Sequence, residues 1–84
     1  MARYHFDFRD EKGLTRDEIG AELPNLGAAR KLALTTLGEI ARDITVSGVE
    51  GQVAIEVRDA DGLVLVASAS LTCVFRGSAA RESD

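Results

Sequence analysis

A single amphipathic helix constrains the fold of this chain more than any other feature of its sequence. Between residues 25 and 44, apolar residues recur at the spacing that places them along one side of a helix, with polar residues opposite. Such a stripe needs an apolar surface to lie on, and the segments on either side of it alternate with the period of β-strands. The stripe consists of Leu26, Ala29, Ala33, Leu37, Ile40 and Ile44, widened by Leu34 and Ala41.

Alternation and turn residues predict the strands, and capping residues predict the helix ends. Residues 3–9 place Tyr4, Phe6 and Phe8 on the core side, and Gly13 and Gly62 close turns that begin with aspartate. Asn25 is suited to cap the start of the helix, and Gly48 to end it in a left-handed conformation. Residues 71–75 either extend the last strand or bend away from it. The predicted strands cover residues 3–9, 14–16 with a continuation at 21–23, 52–59 and 63–70.

This order of elements, ββαββ, predicts a two-layer α+β domain. An antiparallel sheet of three to four strands would carry one long helix on one face. With 84 residues the chain forms one domain, which we expect to span residues 1–76. The small and charged residues 77–84 are expected to form a disordered tail.

Composition excludes several classes of function. A net charge of −4 disfavours nucleic-acid binding, because phosphate contacts require clustered lysine and arginine. We find neither a signal-peptide pattern nor an apolar run long enough to span a membrane, so a soluble cytoplasmic protein is expected. Cys73 is the single cysteine, which excludes an intrachain disulfide and leaves a structural zinc site without sulfur ligands. We expect Cys73 to be a small buried residue, and no cofactor.

Candidate catalytic and metal-binding residues are few. His5, the single histidine, would act as a general base if Asp7 oriented it; alternatively it is a solvated residue on the outer face of the sheet. The motif at residues 59–62 resembles half of a calcium loop but lacks the closing glutamate, so it indicates a turn. Six early acids follow no metal-ligand spacing and are expected at turns and on the surface: Asp7, Asp10, Glu11, Asp17, Glu18 and Glu22. No catalytic, cofactor-binding or metal residue is therefore assigned.

The last strand begins with four apolar residues, Leu63, Val64, Leu65 and Val66. A two-layer domain covers only one face of its sheet, so a strand that is apolar on both faces needs a second cover. Residues 71–75, a second copy of the chain or a foreign protein would each provide one. We expect Val64→Asp or Leu65→Asp, whichever side chain faces outwards, to alter the oligomeric state more than the fold.

Four segments of the sequence occur together in one known family. They are residues 3–10 (RYHFDFRD), 18–26 (EIGAELPNL), 28–30 (AAR) and 56–62 (EVRDADG). In this order they resemble a family of short proteins of unknown function from rhizobial-type proteobacteria, with the pattern R-Y-x-F-D-x-R-D, E-x-G-x-E-L-P, A-A-R and E-V-R-D-x-x-G. This chain departs from it at Asn25 and Gly27, where the family usually has acids. The resemblance implies no activity, cofactor or catalytic residue.

A looser resemblance, at the level of the fold, is to HicB-like antitoxins, which also place an early hairpin before a helix. This chain lacks an evident DNA-binding module, so that resemblance implies neutralisation by protein contact alone. We expect a non-catalytic interaction module, either a homodimer or bound to a protein partner, with no small-molecule ligand. The alternatives are a small enzyme or ligand-binding protein using His5 and Asp7, and an antitoxin-like or nucleic-acid-associated regulator.

Overall fold

The architecture of the chain is α+β, as the sequence predicts. The structure, a computed structural model, describes residues 1–48 and 50–77. Val49 and residues 78–84, which hold nearly all of the predicted tail, lie outside the described residues. The elements are β1 (Ala2–Asp10), β2 (Gly13–Thr15), β3 (Ala21–Leu23), α1 (Leu26–Ser47), β4 (Gly51–Asp59) and β5 (Gly62–Leu71).

The sheet is antiparallel throughout and contains five strands. Its order is β2-β1-β4-β5, and β3 also pairs with β1. Thr15 of β2 lies opposite Phe8, and Ala21 of β3 lies opposite Tyr4, so both short strands occupy the same edge of β1. The sheet is therefore four strands wide, and its long edge strand β5 lies farthest from β2 and β3.

The helix begins and ends where its capping residues predict. The Asn25 side chain accepts a hydrogen bond from the backbone N–H of Ala28 at 2.9 Å, which satisfies one free amide of the first turn. Gly48 follows the last helical residue with φ at 76°, a left-handed conformation that glycine adopts without steric cost. Its N–H donates to the carbonyls of Ile44 and Thr45.

The core lies between one side of the helix and one face of the sheet. Along each strand alternate side chains point towards the helix, so Phe6 lies opposite Val57 and Phe8 opposite Ile55 on the same face. Ile55 and Val57 are the largest fully buried side chains. The buried apolar residues are Tyr4, Ala29, Ala33, Leu37, Val53, Ile55, Val57 and Ala67.

Three predicted core residues are exposed. Leu26 and Leu34 belong to the sequence stripe, yet both helix side chains are exposed, and the buried side narrows to Ala29, Ala33 and Leu37. Alanine at two of these positions lets the helix approach the sheet closely, so a narrow strip is sufficient for contact. Cys73 was expected to be buried but is exposed, because the last strand ends at Leu71 and the chain leaves the sheet there.

Candidate functional site

Four polar residues from three segments meet on the sheet face opposite the helix. We name His5, Asp7, Asp17 and Arg58 the polar cluster. The Arg58 guanidinium donates through Nε to Asp7 Oδ2 at 2.8 Å, and through Nη2 to the backbone carbonyl of Asp17 at 2.9 Å. The backbone N–H of Asp17 donates to Asp7 Oδ1 at 2.9 Å. Both carboxylate oxygens of Asp7 thus have a donor, and the loop at residues 16–20 is tied to β1 and β4.

The Asp17 carboxylate fills a gap in the edge of the sheet. Between β2 and β3 the loop leaves β1, so the N–H of Phe6 has no strand partner there. Asp17 Oδ2 accepts this N–H at 3.0 Å, while Oδ1 accepts the N–H groups of Ile19 at 3.1 Å and Gly20 at 3.0 Å. A side chain therefore supplies the acceptor that a continuous strand would have provided.

Gly20 is required where the loop rejoins the sheet. Its φ is 76°, which disfavours side chains, and a Cβ atom there would lie 3.0 Å from His5 Cε1, Arg3 Cγ and the Tyr4 carbonyl. The spacing Asp17-x-x-Gly20 in the sequence is the signal for this turn. The sequence alone indicates only that Asp17 is a surface or turn acid, and its role in the sheet edge depends on contacts with Phe6 that the sequence does not reveal.

The electrostatics of the cluster favour two charged carboxylates. Burial alone would raise the pKa of Asp7, but hydrogen bonds from Arg58 and from the Asp17 backbone outweigh it and lower that pKa below its ordinary value. Hydrogen bonds from the backbone N–H groups of Gly20 and Phe6 lower the pKa of Asp17. An Asp7 carboxylate held in this way stabilises the loop and is a weak proton acceptor.

His5 lies in the cluster, but its hydrogen bond goes to Asp17 and not to Asp7. Nδ1 is 2.8 Å from the Asp17 carbonyl oxygen, which only accepts, so Nδ1 carries the proton. The hypothesis that Asp7 orients His5 as a general base thus lacks the contact it invoked. Within residues 1–48 and 50–77, no group of three histidine, cysteine, aspartate or glutamate side chains is arranged to hold a metal ion.

The apolar run at the start of β5 divides between the two faces of the sheet through a β-bulge. Val57 pairs with Leu65, but Arg58 pairs with Leu63, so Val64 is an extra residue in the ladder. Val64 and Leu65 both pack against the core. Leu63 and Val66, opposite Arg58 and Glu56, remain 60% and 52% exposed on the open face. Aspartate at Val64 or Leu65 would therefore test the core, and Leu63 and Val66 are the positions that present apolar surface.

The two edges of the sheet differ in a way that bears on association. On one side, β2 and β3 are three residues each and are separated by the charged loop at residues 16–20. On the other side, β5 runs for ten residues and contains neither a charged residue nor a proline. Short strands and charges discourage edge pairing, whereas a long uncharged edge leaves a row of N–H and C=O groups open to another strand.

The segment that follows β5 does not cover its apolar residues. Described residues 72–76 form no regular structure, and Val74 and Phe75 are themselves exposed. Glu50 Oε1 accepts the backbone N–H of Cys73 at 2.8 Å, which holds this segment near the start of β4. That start pairs with Leu71, at the far end of β5 from Leu63. Among the described residues, self-covering of Leu63 and Val66 is therefore not observed.

Comparisons with known proteins agree with the family resemblance drawn from the sequence. The chain has no significant match among curated proteins or solved structures. Within the described part of the chain, no helix has the length and apolarity needed to cross a membrane. A family model described as a domain of unknown function (DUF6894) matches residues 3–72, a range that includes the polar cluster and all of β5. Because this match covers most of the 84 residues, the chain belongs to the DUF6894 family.

Proposed function

We propose that this chain is a non-catalytic interaction module of the cytoplasm that forms a homodimer by antiparallel pairing of two β5 strands. The observation that carries the proposal is the exposed β5 edge, ten residues long and free of charge and proline. In such a dimer each β5 satisfies the open backbone groups of the other, and two four-strand-wide sheets become one.

Apolar side chains beside the edge support the same proposal. Val66 and Leu63 lie on the open face of β5, where pairing with a second copy would cover part of their exposed surface. Antiparallel pairing also places the end of one β5 beside the start of the other. It would therefore bring the exposed Val74 and Phe75 of one copy towards Leu63 of its partner.

Sedimentation equilibrium of the full chain and two variants tests the proposal. Wild type is expected to show a concentration-dependent dimer, and Val66→Lys to shift it to monomer, because an ammonium group would have to lose water at the interface. Ile19→Lys is the matched control, since Ile19 is 81% exposed on the opposite edge, and it is expected to dimerise like wild type. A monomeric wild type, or a Val66→Lys dimer as stable as wild type, would overturn the proposal.

Hydrogen exchange on wild type provides a test that needs no substitution. Amide protons along the outer edge of β5 are expected to exchange more slowly as the protein concentration rises, because pairing converts them to hydrogen-bonded donors. Amides of β2 and β3 serve as the internal control and should not respond. Exchange in β5 that is independent of concentration, in a sample that sedimentation identifies as dimeric, would place the interface elsewhere.

A further inference from the structure

We propose that a groove between the carboxyl-terminal half of α1 and the β1–β2 hairpin binds a basic, apolar peptide segment of a partner protein. We name this the acidic groove; it is lined by residues of β1, the β1–β2 turn, α1 and the start of β4. Its main cavity contains no residue of β5, and the inference does not rest on dimer formation.

The floor of the acidic groove is apolar. The cavity has a volume of about 360 Å³, within the range of sites that bind ligands. The helix lies mainly over β4 and β5, so the half of β1 that pairs with β2 is left partly open. Phe8, Ile40 and Ile44 are consequently only half-buried, and together with Val53 they line the floor. This leaves apolar surface exposed to water, and covering it with an apolar group of a ligand would favour binding.

The rim carries excess negative charge. Four carboxylates, Asp10, Glu11, Asp43 and Glu50, line the groove with one cation, Lys12, so the local net charge is 1 − 4 = −3. The three ion pairs among the described residues involve none of these carboxylates. The carboxyl-terminal end of α1 carries the negative end of the helix dipole, and its last turn contains no basic residue to offset it. The helix dipole therefore adds to the negative potential of the rim. A ligand for this rim should therefore be cationic.

Shape and chemistry together favour a peptide over a small cation. A metal ion or simple amine would gain nothing from the apolar floor, whereas lysine and arginine combine an aliphatic stem with a charged head. A second cavity of about 440 Å³ shares four lining residues with the groove, Glu11, Glu50, Gly51 and Gln52, and is lined further by residues 70–72. Two adjoining cavities of this kind suit an extended chain whose successive side chains contact floor and rim.

Panning the full chain against random peptides displayed on phage tests the inference without assuming a sequence. We expect enriched peptides to carry lysine or arginine next to aliphatic or aromatic residues, and their binding to weaken as salt rises. Enrichment of neutral or acidic peptides, or no enrichment at all, would overturn the proposal.

A pair of double variants locates the binding. Glu11→Gln with Asp43→Asn removes two rim charges, and should weaken binding of the enriched peptides roughly fivefold. These two carboxylates are chosen because Asp10 and Glu50, unlike them, accept backbone hydrogen bonds among the described residues. Glu39→Gln with Asp61→Asn makes the same charge change outside the groove and should leave their affinity unchanged. Equal effects of the two pairs would overturn the inference. If the groove variant lost self-association instead, the groove would hold a second copy of this chain, and the partner-peptide proposal would be wrong.

Discussion

Arg58 and Asp7 form an ion pair between neighbouring strands, with Nε 2.8 Å from Oδ2, on the sheet face that the helix does not cover. Asp7 is nevertheless only 4% exposed, because the loop at residues 16–20 lies over it and donates a backbone N–H to its other oxygen. A buried carboxylate on an otherwise open face identifies this loop as an integral part of the fold. The first two predictions follow from this arrangement.

Asp7→Ala is expected to lower the free energy of unfolding by about 2–4 kcal/mol, because it leaves Nε of Arg58 and the Asp17 N–H without their acceptor. Urea denaturation followed by circular dichroism measures the change. Glu22→Ala is the control, since it removes an ion pair with Arg3 in which both side chains are about half exposed, and its effect should be much smaller. Equal losses of unfolding free energy in the two variants would show that the buried ion pair stabilises the fold no more than an exposed one.

Stability is expected to fall in acid through Asp7 and Asp17. Both have a pKa below the ordinary value of 3.8, so as pH decreases the unfolded chain binds protons before the folded chain does. Their contribution is therefore complete above that value and is lost as pH falls through the lowered pKa of each group. Urea titrations from about pH 6 to about pH 2 test this. Asp17→Asn should be less stable at neutral pH yet lose less in acid, and an unchanged acid dependence would contradict the assignment.

Two glycine substitutions should change stability in opposite directions. Gly20→Ala introduces a Cβ atom at a φ of 76° and 3.0 Å from backbone and side-chain atoms, so a loss of about 1–3 kcal/mol is expected. Gly38→Ala lies within α1, and apart from the neighbouring backbone of the helix itself no atom lies within 4 Å of the added Cβ, so it should gain about 0.5–1 kcal/mol from helix propensity. Thermal denaturation should therefore show a lower melting temperature than wild type for Gly20→Ala and a higher one for Gly38→Ala. A neutral Gly20→Ala would mean that the loop relaxes without cost.

The helix offers a matched pair of leucines for testing which side faces the core. Leu37 is 6% exposed and packs in the core, so Leu37→Ala should cost about 2–5 kcal/mol. Leu34, one turn earlier, is 44% exposed, and Leu34→Ala should change the free energy of unfolding by about 0.5 kcal/mol or less. Denaturant unfolding monitored by helix circular dichroism compares them. Similar costs at both positions would show that Leu34 contributes to the core as much as Leu37 does.

Local patterns in the sequence predicted the fold well because most of its determinants are local. Asn25 and Gly48 mark the helix ends, and alternation in residues 3–9 and 52–59 identifies the central strands. The sequence places Leu34 in the core because the apolar stripe of a helix indicates where the buried side is centred but not how wide the buried side is. That width depends on how closely alanines let the helix approach the sheet.

The surfaces of interest were predicted less completely because they depend on contacts between distant segments. Strict alternation cannot place Val64, since the bulge inserts it into the ladder and changes which of its neighbours face outwards. Asp17 appeared as one acid among several until the structure joined its loop to Phe6, Asp7 and Arg58. The apolar run at the start of β5 predicts surface that lacks a cover, and the structure narrows that surface to Leu63 and Val66.

The difference between the two sheet edges would limit how far strand-by-strand association could proceed. A sheet with two open edges can add strands repeatedly and grow into a fibre. Here the loop between β2 and β3 interrupts one edge. The N–H of Phe6, which an added strand would need as a donor, is already hydrogen-bonded to Asp17. Pairing through β5 would leave only interrupted edges at both ends of the joined sheet. Asp17, which completes the sheet edge within a single chain, would therefore also disfavour further strand addition at that edge.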